Sequence, residues 1–200
     1  MSRIRCLLAG LAGLAFLACD HARSLAPTSD PRAFRASLSE QDDDNVGSVE
    51  GVGHYDIVGL DVAFSVAAER RHELKDDDKA RGEFRIYADE GDGLIIDFEA
   101  KVTCLAIDPV NHRAWIGGVV TANRSTDPDV LTDIHEKGDD IWFRVLDAGS
   151  GVGVVDRSTF IGFKGAAGFA TSPQYCAGRP WPDNNLRTWP VVQGGLTVRP

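Results

Sequence analysis

Two hundred residues, 43% of them hydrophobic and 26% charged, supply the core of one globular domain and little more. The formal net charge is −9 and the sequence pI near 4.9. An acidic body repels phosphate backbones and no cluster of Lys or Arg offsets it, so nucleic acid is not an expected partner. The charge is that of a body kept soluble in an aqueous compartment.

The N-terminus has the pattern of an export signal. Arg3 and Arg5 make a short basic start, and Cys6 to Ala18 is uncharged and rich in Leu, Ala and Gly. That run is far shorter than the roughly 20 residues a membrane-spanning helix needs, so residues 1–18 are expected to be a signal peptide. Phe16-Leu17-Ala18-Cys19 resembles the lipobox of bacterial lipoproteins. Ala18 and Cys19 match it, whereas Phe16 stands where an aliphatic residue is usual. The resemblance implies that Cys19 carries a diacylglycerol and becomes the first mature residue, with enough acyl chains (palmitate-type) for stable membrane anchoring. Loss of Arg3 and Arg5 would take the charge from −9 to −11. The alternative is ordinary cleavage after Ser24 and release as a soluble secreted protein. Asp20 resembles the inner-membrane retention signal of some lipoprotein sorting systems, a rule that varies between lineages. Residues 19–49 are rich in Ser, Ala, Pro and acid and include Asp42-Asp43-Asp44, the composition of a flexible acidic tether.

From residue 50 to 200 the texture is that of one β domain. Tyr55–Val58, Val62–Ala68 and Glu83–Tyr87 alternate with period two, with Lys75–Lys79 and Asp89–Gly93 as connecting loop and turn. Leu94–Ile107 is the longest expected strand. Ile96, Phe98, Ala100, Val102, Cys104 and Ala106 fall on its core face, and Asp97, Glu99, Lys101 and Thr103 on its solvent face. Asp108–His112 turns the chain into Ala114–Ala122, where Gly117-Gly118 marks a bulge or bend. Asp140–Leu146, Thr159–Phe163 and Leu196–Val198 complete about eight or nine short strands with hairpin-length connections. The expected fold is all-β, a small antiparallel up-and-down β-barrel, with a two-sheet β-sandwich as the alternative.

Gly53-His54-Tyr55, Val102-Thr103-Cys104-Leu105, Ala114-Trp115-Ile116-Gly117-Gly118, Phe143-Arg144-Val145-Leu146-Asp147 and Tyr175-Cys176 together resemble a family of bacterial secreted β-domain proteins of uncharacterised activity. The resemblance spans roughly residues 50–200. It implies export and a β domain, and brings no activity to carry over.

Of four cysteines, Cys6 leaves with the signal and Cys19 is the lipid site. Cys104 and Cys176 remain, an even pair in an exported domain, and a disulfide between them would pin the irregular C-terminal region to the barrel. The chain-entropy model puts such a bridge at about 4 kcal/mol.

Other candidate sites are weaker. Asp127, Asp129, Asp133, His135, Glu136, Asp139 and Asp140 crowd one stretch, but their spacing is not that of an EF-hand, and a solvated acidic loop is expected. His54, His72, His112 and His135 are scattered, with no His-Glu-x-x-His arrangement. Gly149-Ser150-Gly151-Val152-Gly153 has neither the spacing nor the following Lys of a phosphate loop, and Ser150 is not in a nucleophile elbow. The long Pro- and Gly-rich segment 166–195 carries Trp181 and Trp189, which have the faces to stack on a sugar or an apolar ligand but are expected mainly to cover the end of the barrel.

No motif implies a catalytic residue, a metal or a cofactor. The expectation is an exported, lipid-anchored envelope protein facing the periplasm or exterior, whose domain binds a small molecule or an envelope protein without catalysing a reaction. A small barrel enzyme of the isomerase or cyclase type and a purely structural lipoprotein are the alternatives. A hollow barrel lined by His and carboxylates would favour the enzyme; a packed one would favour binding or scaffolding.

Overall fold

The computed structural model describes residues 45–71, 80–128 and 135–200. The fold is all-β. Asn45–Ile57 (β1), Leu60–Arg71 (β2), Ala80–Gly91 (β3), Leu94–Asp108 (β4), Arg113–Asn123 (β5) and Asp140–Leu146 (β6) follow one another as antiparallel neighbours. Arg157–Thr159 (β7) and Gly162–Phe163 (β8) both pair with β6, so the single strand expected at 159–163 is two. Thr188–Pro190 (β9) pairs with β7, and Gln193–Arg199 (β10) returns to pair with β1. The order β10-β1-β2-β3-β4-β5-β6-β7-β9 is an up-and-down meander curled into a barrel. Its first strand starts at Asn45, inside the stretch expected to be tether.

Two hairpins show how local sequence sets the meander. Asp92-Gly93 joins β3 to β4 with φ of 53° and 83°, and Val58-Gly59 joins β1 to β2 with 54° and 90°. Two consecutive positive φ values match the twist of the strands on either side. Asp-Gly adopts them readily; Val58, expected to end a strand, adopts them fully exposed.

The seam of the barrel is closed partly by side chains. β9 and β10 form one run broken at Val191-Val192. Val191 N donates to Asp156 O at 2.8 Å, extending the β7 pairing, and Val192 N donates to His54 O at 2.8 Å, beginning the β1 pairing. The other edge of β10 meets the β6–β7 connection. There Asp156 Oδ2 accepts from Leu196 N at 2.7 Å and Asp147 Oδ2 accepts from Val198 N at 3.0 Å. Two carboxylates thus stand in for a ladder and satisfy edge N–H groups that would otherwise template another strand.

The interior is packed. Val62, Phe64 and Val66 of β2 meet Phe84 and Ile86 of β3, Phe98 and Val102 of β4, and Ile141 and Phe143 of β6 in one buried cluster. Phe84 and Phe143 touch edge to face at 5.0 Å. The alternation expected in β4 holds from Ile96 to Val102 and then reverses. Val102 pairs with Gly118 but Cys104 with Gly117, so Thr103 is an extra residue in the ladder. Beyond it Leu105 and Ile107 join the interior, while Cys104 and Ala106 belong to a second cluster outside. The placement of Cys104 and Ala106 on the face of Phe98 is corrected accordingly, because one inserted residue exchanges the two faces of a period-two strand. The bulge lies across from the Gly117-Gly118 pair that was expected to carry it.

Candidate functional site

The outward faces of the end of β4 from Cys104, the start of β5 and the middle of β6 are buried as well. The segment between β8 and β9 covers them, first with a 3-10 turn at Ala166–Gly168, then with a short helix, Ser172–Gly178 (α1), then with loop 179–187. Thr171 caps α1, its Oγ1 accepting from Gln174 N at 3.4 Å, and Arg179 ends it in the left-handed region with φ 41°. Cys176 of α1 is joined to Cys104 of β4, Cα to Cα 6.2 Å across 72 positions of sequence. Asp140 Oδ1 accepts from Ser172 N and Ser172 Oγ, and Thr103 Oγ1 lies 2.9 Å from Ser172 Oγ. Gly117 is required here, since a Cβ would lie 2.6 Å from both Cys104 Sγ and Ser172 Cβ. The disulfide read from the sequence is therefore present, but it holds the C-terminal segment on the barrel's wall rather than over its end.

The loop after α1 is held by its carbonyls. Trp115 Nε1 donates to Pro180 O at 2.9 Å. Arg144 donates to Trp181 O through Nη1 and to Leu186 O through Nη2 at 2.8 Å. Arg113 donates to Pro182 O and to Asn185 Oδ1 at 3.1 Å. Arg144 is 1% exposed, and among the described residues no carboxylate forms an ion pair with it. Burial lowers its pKa, with the charge of Arg113 acting the same way and Tyr175 opposing. Carbonyl dipoles on both arms of the fork are what satisfy this cation.

Between this loop, β9 and the outer face of β6 opens a groove of about 330 Å³. Its walls are Trp142, Phe160, Tyr175, Trp181 and Trp189. Gly162, Ala166 and Ala167 keep it open, and Thr159 and Arg187 are its polar members. The aromatic walls are braced: Tyr175 stacks on Trp142 at 5.6 Å, Phe169 meets Tyr175 edge-on at 5.5 Å, and Trp189 stacks on Tyr55 at 6.4 Å. Burial pushes the hydroxyls of Tyr55 and Tyr175 well above the ordinary phenol range, so both stay neutral. At the mouth, Trp181 (φ 55°) and Arg187 (φ 58°) sit in a region bulky residues seldom adopt. The carbonyls that Arg144 grips belong to Trp181 and to Leu186, the residue before Arg187. Two strained residues are thus fixed by one buried guanidinium. The guanidinium carbons of Arg187 and Arg144 lie 5.1 and 5.6 Å from the Trp181 ring, within cation–π range.

Trp181 and Trp189, singled out in the sequence, line the same groove. Trp142, Tyr175 and Arg187 were not anticipated. A signal for Trp142 existed: Ala114-Trp115-Ile116 and Ile141-Trp142-Phe143 are apolar on both strand faces, the pattern of strands covered on two sides. Cys19, His72, the loop Lys75–Lys79 and residues 129–134 of the acidic stretch lie outside the described residues. In the rest of that stretch Asp139 Oδ2 accepts from Glu136 N at 2.9 Å, and Asp140 serves α1. His54 stands beside Asp61 at 3.3 Å, His112 lies in the β4–β5 turn, and His135 is buried against Phe98 and Phe163 at 4.7 and 5.6 Å. Among the described residues no three His, Cys, Asp or Glu side chains gather as a metal site would need. Gly149–Gly153 belongs to the β6–β7 connection and leads into a strand, not a helix. No protein-family model matches the chain, and no curated protein or solved structure is detectably similar to it.

Proposed function

We propose that this is a lipid-anchored envelope protein whose β domain binds a small ligand with a planar apolar body in the groove on its outer wall. The observation that carries the reading is the convergence of Trp142, Trp181 and Trp189, three of the chain's four tryptophans, on one braced groove. Small-molecule sites are concave, mainly apolar, and carry a few placed polar groups, at volumes from about 300 Å³ upward. Aromatic faces held by packing lose little entropy when a flat ligand stacks on them. The interior, filled by Phe, Val and Ile side chains, supports a binding role at the wall over chemistry inside the barrel. For the anchor, the support is Ala18-Cys19 at the end of the apolar run.

The groove is tested with N-phenyl-1-naphthylamine, an uncharged stackable probe. Saturable binding with energy transfer from tryptophan is expected, weakened at least tenfold in Trp181→Ala. A purely structural lipoprotein would show no saturable site. For the anchor, Cys19→Ser is expected to move the protein from the membrane to the soluble fraction. A wild-type protein already soluble with Leu25 at its N-terminus would refute the lipidation.

A further inference from the structure

Resting on that groove reading, we infer that the natural ligand is an organic anion, its acidic group set against Arg187 and its apolar body stacked on Trp181. The groove is lined by one charged residue, Arg187, and by no acidic one. Among the described residues Arg187 has no carboxylate within ion-pair distance, and neither do Arg144 and Arg113 beneath the same loop. Arg144 and Arg113 spend their donors on carbonyls of 181, 182 and 186. Arg187 sits exposed beside the ring of Trp181 with its guanidinium directed to that ring rather than to a protein acid.

The chain's acids exceed its bases by nine charges, yet Arg113, Arg144 and Arg187 meet at a loop whose one acid, the exposed Asp183, forms an ion pair with none of them, and together they make a local positive field. A planar guanidinium matches a carboxylate or sulfonate, and its neighbour Trp181 offers a face for the rest of the ligand. The left-handed backbone at both residues holds them at the mouth together, and Arg144 fixes that backbone through the carbonyls of Trp181 and Leu186.

The test compares 8-anilinonaphthalene-1-sulfonate with N-phenyl-1-naphthylamine, which share the stacking body and differ in the anionic group. The anion is expected to bind wild type at least about fivefold more tightly, the value of a charge-assisted contact partly exposed to water. Arg187→Gln is expected to abolish the preference, read as the ratio of the two probes' affinities within each protein so that any loss of stacking common to both cancels. Raising salt from 50 to 500 mM is expected to weaken the anion alone. This salt arm needs no variant: an anion bound elsewhere on an acidic protein would be repelled less, and so bind better, as salt rises. Equal affinity for the two probes, a preference that survives Arg187→Gln, or an anion affinity that rises with salt would each overturn the inference and leave the groove standing. If neither probe binds, the groove reading itself falls.

Discussion

Where the C-terminal segment covers it, the β4–β6 wall is buried on both sides, and the two sides are built on different terms. Inside, aliphatic and phenyl side chains meet their counterparts from neighbouring strands, with the phenol of Tyr55 donating to Thr159 O at 3.3 Å. Outside, two indoles and two arginines of β5 and β6 are covered by a segment that brings the phenol of Tyr175 and is joined to the barrel by one disulfide and by hydrogen bonds to its own carbonyls. The interior gains mainly from area. The outer wall buries polar atoms, so its stability depends on each of them finding a partner. Uniform packing makes a rigid core; a polar clasp over aromatics leaves an accessible groove at its margin. The half that carries the groove is therefore expected to be the less cooperative half.

The largest effect should come from inside. Phe98 is fully buried, and Phe98→Ala is expected to cost about 3–5 kcal/mol. Chemical denaturation should show one transition shifted as a whole, with β and tryptophan signals lost together. Reduction of Cys104–Cys176 should cost less, about 2–4 kcal/mol, and should separate the two regions. Near-ultraviolet dichroism from the tryptophans is expected to fall at temperatures where the far-ultraviolet β signal persists. If both signals collapse together on reduction, the wall and the interior are one unit and the comparison fails. If residues 1–18 are removed and Cys19 is lipidated as proposed, the protein should show no free thiol under denaturing conditions before reduction.

Arg144→Met keeps the bulk of the side chain and removes the fork. It leaves the carbonyls of Trp181 and Leu186 without their donor, an expected loss of about 1–3 kcal/mol. The strained mouth should relax with it, so binding of the uncharged probe should weaken more than global stability implies. A variant that binds normally would show that Arg144 is only filler.

Alkaline pH gives the smallest effect and samples both sides. Tyr55 in the interior and Tyr175 on the wall both have raised folded pKa values, set first by burial. Above pH 10 the unfolded chain releases these protons and the folded chain keeps them. Stability should therefore be flat below pH 10 and fall above it, by up to about 1.4 kcal/mol per pH unit for each tyrosine. Tyr175→Phe should remove one share of that slope.

The interior was legible because its rule is local: period two in β2, in β3 and in β4 as far as Val102 names the core residues directly. It failed at Thr103, where one extra residue reverses the faces and no change of composition marks the place. The outer wall was legible only in fragments. Cys104 and Cys176 could be paired because they are the even pair left once Cys6 and Cys19 are assigned to the expected signal and lipid site, and Trp181 and Trp189 stood out in a long irregular segment. Arg144 could not be read, since an arginine on the outward face of a strand looks solvated until a loop more than thirty residues away lays its carbonyls over it. Arg187 and Trp142 meet at one groove only through that same long-range docking.

The most direct test of the account is a spectrum of the four indole N–H groups during titration with N-phenyl-1-naphthylamine. Trp142, Trp181 and Trp189 line the groove, whereas Trp115 is fully buried with its N–H fixed to Pro180 O. The account predicts that the indole signals of Trp181 and Trp189 move most, that of Trp142 moves with them to the same saturation point, and that of Trp115 stays in place. Movement of Trp115 to the same extent, or no movement of the groove tryptophans at saturating probe, would contradict it.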